Sequence, residues 1–197
     1  MKKYCFIVYS CLPIICFSQS FFNDVGQGSR SVAILFSPEQ SLDITKFQYS
    51  FSIKGRVDIT PFIGYGSRGI GGSLFNGGLA VDYYALKQNE TMPISLSIGG
   101  VYDYNYLTRA GINSSSEIGT IRSNVYHKLT LDNFSLIPIL GYQYQFFLND
   151  FNANDSAVEV AVALGLELSG GQLMYFKPSI LFPMGTTQYF LNLGYMF

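Results

Sequence analysis

This sequence predicts an all-β fold, an up-and-down antiparallel barrel that crosses a membrane on ten strands, with eight as the alternative. Three observations carry the prediction. Apolar and polar residues alternate with period two in one segment after another. Only 13% of the 197 residues are charged, about half the usual globular share of roughly 25%, while 15 Tyr and 17 Phe crowd the chain. Beyond the N-terminus, no stretch supplies the apolar run of roughly 20 residues that a membrane helix requires.

The N-terminus stands apart. Lys2 and Lys3 precede the apolar "YCFIVYSCLPIICF", and Cys16, Phe17 and Ser18 place small residues at the −3 and −1 positions. Residues 1–18 therefore read as a signal peptide cleaved before Gln19. A retained anchor fits less well, because the run is short and Pro13 interrupts it. Lipoprotein processing also fits poorly: Ile15 is bulky before Cys16, and Cys11 leaves too short a run. Removal of the leader takes Cys5, Cys11 and Cys16 with it, which leaves no disulfide and no thiolate metal site. It leaves 10 basic residues against 13 acidic, a net charge of −3, so nucleic acid is not an expected partner. The polar residues 19–28 then read as a short periplasmic lead-in to a barrel over 29–197.

The strands follow in order near 29–37, 45–53, 56–66, 73–86, 93–107, 117–131, 134–148, 156–168, 172–183 and 187–197. "AVEVAVALGLEL" puts Val158, Val160, Val162, Leu164, Leu166 and Leu168 on one face and Glu159, Ala161, Ala163, Gly165 and Glu167 on the other. "FQYSFSI" sets Phe47, Tyr49, Phe51 and Ile53 against Gln48, Ser50 and Ser52. Lys54-Gly55, Asp132-Asn133 and Ser169 to Gly171 are tight turns, and "QNETM" is slightly longer. "PEQSLDI", "SRGIGG", "TRAGINSSS", "NDFNANDS" and "MGTT" read as mostly longer loops on the opposite side, the asymmetry of a membrane meander.

A soluble barrel has the same period with its apolar face turned inward. Here the polar faces carry Ser, Gly, Ala, Asn and Gln rather than the charges of a solvated exterior. Aromatic residues also gather at strand ends, as Phe47, Tyr49, Tyr104, Tyr106, Tyr142, Tyr144, Phe146 and Phe147. The chain ends on Phe197, preceded at alternate positions by Tyr189, Leu191, Leu193 and Tyr195. This ending resembles the closing strand of small bacterial outer-membrane β-barrels of the OmpA/OmpX type. The resemblance implies an outer-membrane location, contact with lipid and lipopolysaccharide, and recognition of these five residues by the barrel assembly machinery.

On the assigned parity the lumen receives Arg56, Asp58, Asp82, Asp103, Arg122, Lys128, Glu159, Glu167 and Lys177. Mixed charges in a confined space imply a paired network. Such a network is either a plug that fills a small barrel or a polar path for small solutes, and the plug is favoured because barrels this small leave little room. His127 is the single histidine. A hydrolase of this architecture would need a positioned partner, and Lys128 and Leu129 follow it instead of the Ser of a His-x-Ser pair. No catalytic residue, cofactor or metal is expected. Asp150, Asn152, Asn154 and Asp155 lack the order of a calcium loop. "GYGSRGIGG" lacks the Lys-Ser/Thr of a phosphate loop.

Overall fold

The computed structural model describes residues 21–38, 43–68, 72–109, 112–148, 150–183 and 187–197, and over these the chain is one antiparallel sheet closed on itself. Its strands are β1 (Ser29–Pro38), β2 (Asp43–Ile53), β3 (Val57–Arg68), β4 (Gly72–Leu86), β5 (Ser95–Arg109) and β6 (Ile112–Tyr126). They continue with β7 (Leu129–Leu131), β8 (Phe134–Phe147), β9 (Asp150–Glu167), β10 (Leu173–Pro183) and β11 (Gln188–Met196). Neighbours in sequence are neighbours in the sheet, and β1 pairs with β11, Ser31 opposite Met196 through Phe36 opposite Leu191. The short β7 continues β6 in the same register on β8, so the barrel has ten strands. The signal peptide expected over residues 1–18 lies outside the described residues.

Prolines interrupt the ladder. Tyr126 pairs with Ile139 and Leu129 with Leu136, while His127 and Lys128 face Pro138 and Ile137 without ladder pairing. Pro138 has no N–H to give, although its carbonyl still accepts from His127 N at 3.3 Å. Pro61 leaves the same gap between β2 and β3, where Ser50 Oγ and Thr60 Oγ1 meet at 2.8 Å. Pro178 leaves a third gap, between β9 and β10.

At the rim bearing both termini three turns are as tight as expected, while the connection around "QNETM" runs over residues 87–94 because β5 begins two residues later than expected. Lys54 and Gly55 both take positive φ, 53° and 61°, the turn that suits a twisted hairpin. At the far rim two of the expected loops are mostly ladder. Pairing reaches Arg68 opposite Gly72, Arg109 opposite Ile112 and Phe147 opposite Asp150. Most of "TRAGINSSS" and "NDFNANDS" is therefore strand. Asn, Asp and Gly have weak strand preference alone, but a ladder already in register extends through such stretches.

The two faces differ as the alternation requires. Ile34, Phe47, Ile63, Tyr83, Ile98, Ile121, Leu140, Val160 and Leu193 point outward and are exposed, whereas Ser50, Thr60, Asn76, Ser97, Asn124, Gln143 and Asn192 point inward and are buried. An apolar exterior over a polar, filled interior is the inverse of a soluble protein, and it matches a hydrocarbon surround.

The barrel interior as candidate functional site

The mid-barrel holds charge. Arg122 on β6 grips Asp82 on β4 with two donors, Nε to Oδ1 at 2.9 Å and Nη2 to Oδ2 at 2.5 Å. Lys46 Nζ on β2 reaches Asp103 Oδ2 on β5 at 3.3 Å and lies 4.3 Å from the centroid of the Phe62 ring. Lys177 Nζ on β10 lies 3.2 Å from Glu159 Oε1 on β9. All six side chains are buried, as is Asp58. Asn76 donates to both Asp103 and Asn105, tying the Lys46 pair to the wall. Arg122–Asp82 and Lys46–Asp103 reach past intervening strands and so brace the barrel inside its wall, while Lys177–Glu159 joins the adjacent β9 and β10.

Toward the far rim the interior turns apolar. Leu35, Ile44, Leu74, Leu181 and Phe190 come from the loop ends of five strands and pack together, each at most 3% exposed. The terminal rim is closed differently. The segment before β1, expected as a polar lead-in, turns into the mouth and buries Phe21, Phe22 and Asn23. The Phe21 ring meets Tyr126 edge-on at 4.7 Å and Tyr84 at 5.7 Å between centroids, and the Phe22 ring lies 5.6 Å from Tyr175. Two lysines hold its backbone: Lys128 Nζ donates to Phe22 O at 2.7 Å, and Lys87 Nζ to Asn23 O at 2.8 Å. The wall is cut to fit. A Cβ on Gly165 would stand 2.6 Å from the Phe22 ring, and one on Gly55 would stand 2.3 Å from the Asp24 carbonyl oxygen. Burial in this mouth brings the Lys87 ammonium down to about 8, with Asp58 pulling the other way.

Of the nine charged residues assigned to the lumen by parity, Asp58, Asp82, Asp103, Arg122, Glu159 and Lys177 are buried there. The other three are not, because the wall ends before they reach the interior. Arg56 is half-buried at the terminal rim, its Nη1 donating to Tyr84 O at 3.3 Å. Lys128 holds the lead-in instead of joining the network, with Asp24 3.9 Å away. Glu167 is exposed at the end of β9, where its N–H donates to Asn133 O at 2.7 Å.

Sequence reading missed Lys46, Lys87 and the plug. Lys46 shares the parity of Gln48 and Ser50, so alternation would have found it. In the closing strand, Tyr189, Leu193 and Phe197 are exposed on the outer face and Leu191 and Tyr195 partly so. The Phe197 main chain exchanges two hydrogen bonds with Arg30, at 3.0 and 2.9 Å, which complete the seam. His127 Nδ1 meets the Pro93 carbonyl at the terminal rim. Among the described residues no group of three His, Cys, Asp or Glu is placed to hold a metal ion. The side chains of Asp150 and Asn152 lie outside the described residues.

No family model and no curated protein matches this chain. Solved structures do. The β domain of the Bordetella autotransporter BrkA is similar at a TM-score of 0.54 and 9% identity, covering 86% of this chain and 98% of that one. The N-terminal β-barrel domain of Pseudomonas aeruginosa OprF gives 0.44 and 12%, covering 87% and 100%. Neisserial surface protein A (NspA) gives 0.37 and 11%, covering 86% and 94%. At these identities the BrkA likeness speaks to fold alone: a closed antiparallel β-barrel of the outer-membrane type.

Proposed function

We propose that this outer-membrane-type β-barrel is a closed protein of the bacterial envelope with a structural or partner-binding role, and that its working surfaces lie outside the lumen. The observation that supports this most is the filled interior. An apolar cap, three bracing ion pairs and an aromatic plug follow one another along the axis, and a barrel of this width has little room left once side chains fill it. On this reading the chain is exported behind its N-terminal leader, inserted through recognition of its last strand, and bathed in lipid and lipopolysaccharide. The same reading gives it no enzymatic activity, and it is in keeping with this that the Nδ1 of the single histidine meets a backbone carbonyl at the rim.

Conductance in planar bilayers tests the proposal. The wild-type barrel is expected to conduct ions poorly, and Arg122→Ala to produce brief openings, because Asp82 loses the partner that offsets its desolvation. Large, stable wild-type conductance would reject the closed reading.

A narrow pore or transporter for small or apolar solutes is the second reading, and one observation favours it. The terminal mouth is shut by a segment outside the barrel wall, held largely by two lysines and two rings. Deleting residues 19–26 separates the readings: steady conductance in that variant supports a gated path, and continued closure supports the filled barrel.

A further inference from the structure

On the outer face at the terminal rim, the seam between β1 and β11 forms a groove of about 620 Å³ lined by Gly28, Ser29, Arg30, Tyr49, Phe51, Ser52 and Phe197. Register builds it. Arg30 stands opposite Phe51 on β2 and exchanges backbone hydrogen bonds with Phe197, so its guanidinium has an aromatic residue on each side. One step further in, Val32 lies between Tyr49 and Tyr195, and the Tyr195 and Phe197 rings stack 6.0 Å apart. Beyond that, Ile34 and Phe36 continue the apolar strip.

Arg30 is therefore an exposed cation on a strip that is otherwise hydrocarbon-facing, and it takes part in none of the ion pairs among the described residues. A guanidinium at this depth needs an anion or water, and its planar fork suits two phosphate oxygens. Exposed Lys54, in the adjoining turn, adds positive charge nearby. The opposing charges are Asp24 on the lead-in and the chain's own terminal carboxylate.

We propose that this groove binds the phosphodiester of a membrane phospholipid. Arg30 takes the phosphate, Tyr49 offers a hydroxyl beside it, and Phe51 and Phe197 pack on the glycerol and upper acyl carbons, as aromatic residues do at a membrane interface. The acyl chains then follow Val32, Ile34 and Phe36 along the seam. The inference rests on the membrane-spanning reading, and its site is separate from the lumen.

The test is native mass spectrometry of the detergent-solubilised barrel with phosphatidylglycerol, with diacylglycerol, and with phosphatidylglycerol plus millimolar inorganic phosphate. Wild type is expected to retain phosphatidylglycerol over diacylglycerol and to keep it against free phosphate. Arg30→Gln should lower that retention about tenfold, the share of one charge-assisted contact, and Arg30→Lys should fall between. Equal retention by Arg30→Gln, or equal binding of diacylglycerol, overturns the proposal. Displacement by inorganic phosphate overturns the lipid assignment in favour of a free-anion site. Should Arg30→Gln fail to fold, the wild-type comparison of the two lipids decides alone. Heat-modifiable migration of each preparation reports separately whether the barrel itself has formed.

Discussion

Removing Lys177 should cost the barrel more than removing both Lys177 and its partner. The ammonium lies 3.2 Å from Glu159 Oε1, and the two side chains are only 2% and 5% exposed. At an effective dielectric constant of about 20, charges at that separation attract by about 5 kcal/mol. Lys177→Met keeps most of the aliphatic stem but removes the ammonium 5.4 Å from the Phe21 ring centroid and strands a buried carboxylate, so a loss of roughly 3–5 kcal/mol is expected. Adding Glu159→Gln removes the stranded charge and should return stability to within about 1–2 kcal/mol of wild type. Urea unfolding in lipid vesicles, followed by far-ultraviolet circular dichroism, measures all three variants against wild type. If the single substitution cost under about 1 kcal/mol, the interior would be hydrated and the bracing argument would fail. A double variant as weak as the single one would refute the pairwise account equally.

Val162→Arg places a guanidinium on the outer face of β9 and should destabilise by roughly 2–4 kcal/mol near the bilayer midplane, whereas Ala161→Ser should be nearly neutral in the same unfolding assay. Ala161 faces the lumen opposite Ser179, whose hydroxyl is a ready partner; reversed costs would mean the barrel is inside out. Deleting Phe197 should sharply lower the yield of heat-modifiable protein in the outer membrane, since it removes both the final side chain and the Arg30 hydrogen bonds; an unchanged yield would detach the last strand from assembly. In a cysteine-free background, Ala163→Cys should react slowly with a water-soluble maleimide. The added change Phe22→Ala should speed labelling on the order of ten- to a hundredfold, the share of one buried ring, and an equal rate would show that the lead-in does not guard the mouth.

Strand positions were legible because a side chain's face depends only on its own place in a period-two pattern. "AVEVAVALGLEL" needed no knowledge of its neighbours, and its inward Glu159 and Ala161 lie where alternation put them. Parity gives the face but says nothing about height along the axis. Arg56, Lys128 and Glu167 have the right parity yet sit where the wall stops. The far-rim loops were misjudged for a related reason: "INSSSE" looks irregular alone and is ladder only because β5 extends beside it. The plug was the least legible element. Nothing local in "SFFND" announces that Tyr84, Tyr126 and Tyr175, over 90 residues apart at the extremes, converge to receive two phenylalanines.

The three prolines inside β3, β8 and β10 have a consequence that belongs to the journey rather than the destination. On the proposed envelope reading the chain crosses an aqueous compartment unfolded, carrying ten segments whose alternation and aromatic content favour pairing with any strand they meet. Pro61, Pro138 and Pro178 interrupt three of those segments with a residue that cannot donate and cannot be covered by a second chain. In the finished barrel each costs a two-residue gap in the ladder, tolerable because the neighbouring strands stay in register on both sides. Filling those gaps would tighten the folded wall and, in the same stroke, give the chain in transit three longer uninterrupted edges with which to aggregate. The imperfect ladder is thus a compromise between durability after insertion and solubility before it.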